Sequence, residues 1–392
     1  MSTPRSTSRP TARNADTPPG TDPDPANTPA NIPASTAAAA PAQFTARERW
    51  TLLGASLWLV AGLQLDAFAH STIPDLETFW TPWHAVMYSG IAACGLTLLW
   101  LLRSRLPQVV TYRSLLRETP SALRLPGIGM GLLLVGGGID TLWHNLFGIE
   151  RGLEIFFSPS HYFIIAGMVL VASGPALMLS ASSAPSVRHL RGADAVAVVA
   201  SAVLAVIPVQ IYTLHASALA EPMLGTGPGP WWPISEDALM FHAYVGSTVL
   251  LLVPILILSR RWDLPLGAPT ALVAAPAFVM CLVLGDPADA WLPVTVTVVT
   301  AVVELAARIL TPGFRRLAPD ARWVVLGFVA PIVVWSAVLG VSTVTEGGTY
   351  WNLHMISGLV SLVGLTGAGT AYVVRRLQVG SVPAAAQAPA AQ

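Results

Sequence analysis

The sequence predicts an all-α fold, a polytopic transmembrane helical bundle of about ten helices. Only 11% of its 392 residues are charged, against about 25% in typical soluble domains, while 53% are hydrophobic. The apolar residues come in blocks of about twenty, the length that a helix needs to cross a hydrocarbon core of roughly 30 Å. Because every backbone polar group must be satisfied inside lipid, blocks of this length predict helices and not barrel strands.

Ten apolar blocks lie between two polar tails. The blocks fall near residues 50–69, 84–103, 126–145, 160–181, 193–214, 240–259, 267–284, 289–310, 323–343 and 352–374. They divide the chain into a disordered tail rich in Pro, Ser, Thr and Ala (1–44), four helices (45–181), six helices (182–378) and a second disordered tail (379–392). The tails contain too few large apolar residues to bury a core.

The arginines predict the orientation of the bundle. All 21 basic residues are arginines, and they cluster before the first block and after each even-numbered block, whereas the odd-numbered connections are acidic. Since short cytoplasmic loops accumulate positive charge, both termini are predicted to be cytoplasmic, with a bacterial plasma membrane as the expected location. The lipid bilayer is thus the predicted binding partner of the helices. A net charge of zero and the lack of a basic tract exclude nucleic acid.

The first four predicted helices contain a repeated pattern. It reads Asp-x3-His, then a loop, then Leu-Glu-x-Phe-aromatic-(Ser/Thr)-Pro-x-His-x5-Gly. The matched residues are Asp66, His70, Glu77, Pro82, His84 and Gly90 in the first copy, and Asp140, His144, Glu154, Pro159, His161 and Gly167 in the second. We interpret this as a parallel repeat of one helical hairpin. His215, His242 and His354 lie at the same predicted membrane face, but only parts of the pattern surround them.

Each copy supplies one carboxylate and two imidazoles. Asp66 and His70 are four residues apart, so they share one face of a helix, and the same holds for Asp140 and His144. His84 and His161 lie on the partner helices at the same predicted depth. This ligand set suits copper, zinc or non-haem iron. The alternative is that each aspartate only accepts hydrogen bonds from its histidines, with no metal.

Other polar residues are assigned supporting roles. Glu77 and Glu154 either orient imidazoles or lie near a helix N-terminus. Thr81 and Ser158 are predicted N-caps, each followed by a proline at the first helical position. A last pair, Glu304 and Arg308, is predicted to form within the bundle, and the glycines Gly127, Gly131, Gly136, Gly137 and Gly138 are predicted to form a packing surface.

The element Asp66-x3-His70-x13-His84 resembles the copper-binding element in the C subunit of copper-dependent membrane monooxygenases, the particulate methane and ammonia enzymes. The resemblance covers residues 66–84, and residues 140–161 in the second copy. It implies copper as the metal, with the aspartate and both histidines of each copy as ligands. The chain departs from that family in its ten helices, its two copies of the element and its lack of a recognisable soluble copper domain, so reaction and substrate are not implied.

These features favour a metal-dependent membrane oxidoreductase with an extracytoplasmic copper centre. A metal or small-solute transporter stays open, although clustering of the ligands at one face counts against a path through the membrane. A haem-binding electron carrier and a structural or sensing subunit without catalysis also stay open. The sequence leaves the oligomeric state undetermined.

Overall fold

In this computed structural model the described residues are 43–73, 81–107, 110–148, 150, 152–184, 186–220, 236–284, 290–314, 317–345 and 351–377. They fold almost entirely into α-helices. The helices are α1 (Ala46–Thr72), α2 (Pro82–Arg103), α3 (Tyr112–Glu118), α4 (Ser121–Phe147), α5 (Pro159–Ala172), α6 (Gly174–Ser182), α7 (Gly192–Tyr212), α8 (Glu236–Arg261), α9 (Ala268–Leu284), α10 (Trp291–Phe314), α11 (Pro319–Thr345) and α12 (Leu353–Arg376). Two 3-10 turns cover Gly152–Phe157 and Leu214–Ala216.

The described part of the chain contains nine helical segments that are long and apolar enough to cross a membrane, with α5 and α6 counted as one. The remaining predicted block, the seventh (267–284), corresponds to α9, whose 17 residues lie at the lower limit of about 17–25 for a span. Large apolar side chains such as Leu96, Leu134 and Leu282 lie exposed on the surface of these helices, as expected where lipid is the solvent. The prediction of an all-α multi-pass membrane bundle is confirmed.

Contacts between helix ends show which ends lie on the same side of the bundle. Arg49 at the start of α1 pairs with Asp194 at the start of α7 at 2.7 Å, and Arg261 at the end of α8 donates to the carbonyl of Ser183 after α6. We call this side, where α1 begins, the arginine end. The opposite side, where α1 ends and α2 begins, is the histidine end.

The hairpins α1–α2 and α4–α5 cross closely at glycines. A Cβ at Gly90 would lie 2.5 Å from the Cα of Leu59, and a Cβ at Gly62 would lie 2.6 Å from the Cα of Met87. In the second hairpin, a Cβ at Gly167 would lie 2.7 Å from the carbonyl oxygen of Gly129. The backbones therefore approach to distances that only glycine permits.

The packing surface of α4 is narrower than predicted. Gly127, Gly131 and Gly138 have no neighbour within 4 Å of an added Cβ, so these three predictions were wrong. Close contact is made by Gly136 and by Gly129, which are seven residues apart and therefore lie on one face, two turns from each other.

The fourth predicted block is a broken helix. Pro175 has no N–H and its ring clashes with the preceding turn, and α5 ends at Ala172 before α6 begins at Gly174. The hydroxyl of Ser201 on α7 donates to the Ala172 carbonyl at 2.6 Å and accepts from the Ala176 amide at 3.3 Å. A side chain thus satisfies backbone groups that the break exposes.

The bundle includes the last residue of the predicted N-terminal tail, while residues 1–42 of that tail lie outside the described residues. Thr45 and Glu48 form a reciprocal capping box at the start of α1. Phe44, the last residue of the predicted tail, is buried, and its amide donates to the Ser182 hydroxyl at 2.8 Å. The bundle therefore includes residue 44.

Candidate metal centre

The first hairpin brings Asp66, His70 and His84 together at the histidine end. The Oδ2 atom of Asp66 lies 3.8 Å from Nε2 of His70 and 3.6 Å from Nε2 of His84. The two imidazoles meet edge to face, with ring centroids 5.7 Å apart. One ligand atom from each of the three side chains lies within 4.8 Å of the other two, which is close enough for one metal ion to contact all of them.

The second hairpin forms the same arrangement with Asp140, His144 and His161. The Oδ1 atom of Asp140 lies 3.5 Å from Nε2 of His144 and 3.3 Å from Nε2 of His161. The Asp140 residue is only 2% exposed, and its Oδ1 also accepts a hydrogen bond of 2.8 Å from the Ser160 hydroxyl. Both sets of three, which we call the first and second triad, thus form as the spacing predicts.

Local sequence positions the histidine on the second helix of each hairpin. Thr81 caps α2, because its hydroxyl accepts from the His84 amide at 3.2 Å, and the same oxygen lies 3.0 Å from Nδ1 of His84. Pro82 and Pro159 occupy the first helical position, as predicted. Ser158 is the N-cap residue of α5, as predicted, but its hydroxyl contacts the Ser160 hydroxyl at 2.9 Å in place of a backbone amide.

Hydrogen bonds at Nδ1 determine which nitrogen of each histidine faces Asp140. Nδ1 of His161 lies 2.6 Å from the Ile155 carbonyl, and Nδ1 of His144 lies 3.2 Å from the Gly148 carbonyl. A carbonyl can only accept a hydrogen bond, so in both rings Nδ1 carries a proton. In a neutral imidazole the Nε2 atom then presents its lone pair. Both Nε2 atoms point at the Asp140 carboxyl group. Contact with an ionised carboxylate then requires either a proton on Nε2 or a cation between the two groups.

Charge in the second triad leaves these two options balanced. Oε2 of Glu150 lies 3.2 Å from Nδ1 of His144, so this triad combines two carboxyl groups, which carry two negative charges when both are ionised. Two protonated imidazoles or one divalent cation would neutralise them equally. The geometry accommodates both the metal and the hydrogen-bonded alternative without metal.

Both triads line a single cavity of about 330 Å³. Apart from the triads and Glu150, the walls are mainly aliphatic and aromatic. They are formed by Leu63, Ala67, Met87, Ile155, Phe156, Ile164, Ile165, Ile211, Tyr212 and Leu214. The hairpins therefore do not form two separate sites but two ligand sets on one apolar chamber, which is large enough for a small molecule.

Only some of the predicted accessory residues lie near this chamber. Glu154 is exposed and lines a shallow surface depression, while Glu150 takes the position beside His144. Glu77 lies outside the described residues. His215 packs against the ring of Phe156, a wall residue, with centroids 4.9 Å apart.

The last two predicted accessory histidines are outside the chamber wall. His242 is exposed, with Nδ1 2.6 Å from the Ala238 carbonyl on its own helix, and His354 is exposed at the start of α12. Among the described residues, only the two triads group three or more metal-binding side chains.

Two tyrosines at the site could not be identified from the sequence. Tyr88 stacks on His84 with ring centroids 6.3 Å apart and lies one turn after it on α2. Tyr212 lines the chamber from α7, and its hydroxyl donates to the Phe156 carbonyl. Its position at the end of a distant apolar helix could be found only from the tertiary packing.

The Glu304–Arg308 pair is confirmed, at 3.0 Å. Glu304 also accepts hydrogen bonds from the Gly267 amide at 2.9 Å and from the Thr270 hydroxyl at 2.7 Å. Both carboxylate oxygens are thereby bonded at the start of α9. This carboxylate belongs to the structure of the arginine end and is separate from the chamber.

The chain was compared with protein-family models, with curated proteins and with solved structures. No family model, no curated protein and no solved structure matches it.

Proposed function

We propose that the protein is a metal-dependent membrane oxidoreductase whose metal centre, with copper favoured, lies in the chamber at the histidine end. The single observation that supports this most strongly is that two Asp/His/His triads line one apolar chamber. Imidazole and carboxylate donors suit copper, zinc and iron, and copper binds most tightly of these divalent ions at a given nitrogen and oxygen site. The apolar walls suit a small, lipid-soluble substrate.

Orphaned carboxylate oxygens support a cation in the chamber. Oδ1 of Asp66 and Oε1 of Glu150 are buried and have no hydrogen-bond partner within the described ranges. A buried charged oxygen without a partner is costly, and a metal ion is a partner that would remove this cost. The second-triad imidazoles are also held by their Nδ1 atoms with Nε2 inward, the arrangement in which outer partners usually orient a ligating histidine.

We further propose that the two hairpins are a parallel repeat. The glycine contacts support this, because Gly62 and Gly90 in the first hairpin and Gly136 and Gly167 in the second make their close approaches at the same steps from the triad residues. The arginine distribution supports cytoplasmic termini. The chamber would then open toward the extracytoplasmic side of a bacterial plasma membrane.

A transporter is the second candidate, and the position of the ligands makes it the weaker one. Both triads lie at one depth and line one chamber at the histidine end. A transport path would need further polar side chains through the middle of the membrane. If the protein were a permease, reconstituted vesicles would take up copper or zinc down a gradient. The oxidoreductase proposal expects no such flux.

Metal content of the purified full-length protein tests the proposal. The wild type, exposed to Cu, Zn and Fe salts and then desalted, is analysed by elemental mass spectrometry beside the double variant His84→Ala/His161→Ala. The matched control is His242→Ala/His354→Ala, which removes two histidines at the same end but outside the chamber. We expect stoichiometric copper in the wild type and the control, and its loss in the triad variant. Equal metal in all three proteins, or none in the wild type, would overturn the proposal.

Bound copper also has a spectroscopic signature. Electron paramagnetic resonance of the Cu(II) form should show nitrogen couplings from imidazole that disappear in the triad variant. A copper signal without nitrogen couplings would place the metal elsewhere. Oxygen consumption with small apolar substrates would then be measured only on protein that passes both tests.

A further inference from the structure

A second, larger cavity lies at the arginine end of the C-terminal helices. Its volume is about 540 Å³, and its walls come from α8, α9, α10, α11 and the end of α12. It shares no residue with the chamber of the triads. The functional proposal above assigns it no role.

The cavity is elongated along the helix axes and changes character along its length. It extends along α8 from Thr248 to Ser259, which is roughly 16 Å at the helical rise and about half of a hydrocarbon core of roughly 30 Å. The deep part is lined by apolar side chains such as Leu251, Val334 and Trp335. At the mouth it is lined by Arg188, Arg308 and Arg375. The cavity thus matches one leaflet of a bilayer in depth and in polarity.

Three residues that line the cavity each carry a buried donor atom that has no partner among the described residues. These atoms are Nε1 of Trp262, Oγ1 of Thr300 and Nη1 of Arg375. Trp262 is 3% exposed and Thr300 is 9% exposed, so water cannot readily reach these atoms. Each unsatisfied buried polar group costs free energy, and three of them around one cavity point to a ligand that brings acceptor oxygens. Thr300 also lies deeper than Trp262 and Arg375, so the acceptors would be at two depths.

We propose that this cavity binds one acyl amphiphile with an anionic head group, of the glycerophospholipid class. The phosphate accepts from Arg375 and Trp262 at the mouth, an ester carbonyl accepts from Thr300 below it, and an acyl chain fills the apolar part. Asp263 and Glu304 also line the mouth, and each of the three arginines is paired with a carboxylate. A guanidinium has donors to spare after one such pair, so these arginines can still donate to an anionic head group. This proposal does not depend on the metal centre.

Native mass spectrometry of the delipidated full-length protein in detergent tests this proposal. Phosphatidylglycerol, oleate and inorganic phosphate are added in separate titrations. We expect one tightly bound phosphatidylglycerol. Binding of oleate with equal affinity would overturn the assignment to a glycerophospholipid, because oleate has neither a phosphate nor an ester carbonyl. Binding of inorganic phosphate as tight as that of the lipid would overturn the proposal, because it would leave the apolar part without a role.

Two variants and one matched control locate the ligand. Ala330→Trp fills the cavity, and Trp262→Phe removes one donor while keeping an aromatic ring. Val329→Trp adds the same bulk at the neighbouring position, whose side chain is exposed on the lipid-facing surface. We expect Ala330→Trp to abolish lipid binding, Trp262→Phe to weaken it about tenfold, and Val329→Trp to leave it unchanged.

A loss of binding that is equal in Ala330→Trp and Val329→Trp, or no change in either cavity variant, would refute the assignment. Circular dichroism shows whether each variant is folded. If Ala330→Trp does not fold, the comparison of Trp262→Phe with Val329→Trp decides the result on its own.

Discussion

Substitution of a single glycine in the first hairpin should destabilise the protein by an amount that the structure predicts. A methyl group at Gly90 would lie 2.5 Å from the Cα and 2.8 Å from the backbone nitrogen of Leu59. Nonpolar carbon atoms prefer separations of about 3.5–4.0 Å. The contacting atoms are backbone, which cannot rotate away, so α1 and α2 must move apart by about 1 Å. Overpacking of this kind costs about 1–3 kcal/mol.

Gly131→Ala on α4 is the matched control. Nothing lies within 4 Å of its added Cβ, and alanine in a helix interior is favoured over glycine by roughly 0.5–1 kcal/mol. The two Gly→Ala changes should therefore shift stability in opposite directions. Thermal unfolding of the detergent-purified variants, followed by circular dichroism at one scan rate, measures this. If Gly90→Ala unfolds at or above the wild-type temperature, the close crossing of α1 and α2 is not required.

The same variant should weaken the candidate metal centre. Gly90 lies six residues from His84, or roughly 9 Å along α2, so separation of the helices at the crossing displaces His84 from Asp66. The contact of 3.6 Å between them would lengthen. Metal content of Gly90→Ala should fall below that of Gly131→Ala. Equal metal content would show that the first triad tolerates the shift.

Three further changes test other contacts. Glu150→Gln should lower metal affinity in the second triad by about 10–100-fold, because this carboxylate orients an imidazole. The exposed Glu154→Gln is the control and should have no effect on affinity. Metal titration measures both variants, and equal affinities would show that Glu150 is not part of the site. Glu304→Gln should reduce stability by about 1–3 kcal/mol, since glutamine offers one acceptor oxygen where the structure uses two; an unchanged Tm would contradict this. Trp335→Phe loses the hydrogen bond of 2.7 Å to the Thr248 hydroxyl and should cost about 1 kcal/mol in thermal unfolding, and a variant as stable as wild type would show that this bond is dispensable.

The triads could be predicted because their geometry is local. Spacing of four residues places Asp66 and His70 on one face of a helix whatever the rest of the fold does. Pro82 fixes where the partner helix begins, and His84 then lies in its first turn. Two helices and a short connection are thus enough to bring the three side chains together.

The remainder of the site depends on distances that no local pattern encodes. Glu154 matched the repeat in sequence, but Glu150 lies beside His144 because the turn over Gly152–Phe157 is a 3-10 helix that directs Glu154 to the surface. That the two triads share one chamber follows from the way the hairpins pack against each other and against α7. Sequence periodicity defines each helix but not which faces of distant helices meet.

The same limit applies to the packing surface of α4. Every glycine in a glycine-rich helix looks equally suited to close packing, but only the one face that meets α5 is used, at Gly129 and Gly136. The broken helix between α5 and α6 had a signal in Pro175. Its repair by Ser201 did not, since that serine is an ordinary residue in an apolar helix.

The repair by Ser201 has a consequence for how the protein is made. Ser201 bonds α7 to the break after α5, and Tyr212 at the other end of α7 bonds to the turn that contains the hydrogen-bond acceptor of His161. A nascent chain that has inserted only its first two hairpins already contains all six Asp and His side chains of the triads. Until α7 enters the bilayer, however, the break after α5 lacks its bond to Ser201 and the turn beside His161 lacks its bond to Tyr212. Backbone groups left without these partners are costly inside lipid. We therefore expect the second triad to reach its final geometry only after α7, a helix that contributes none of its ligands, has inserted.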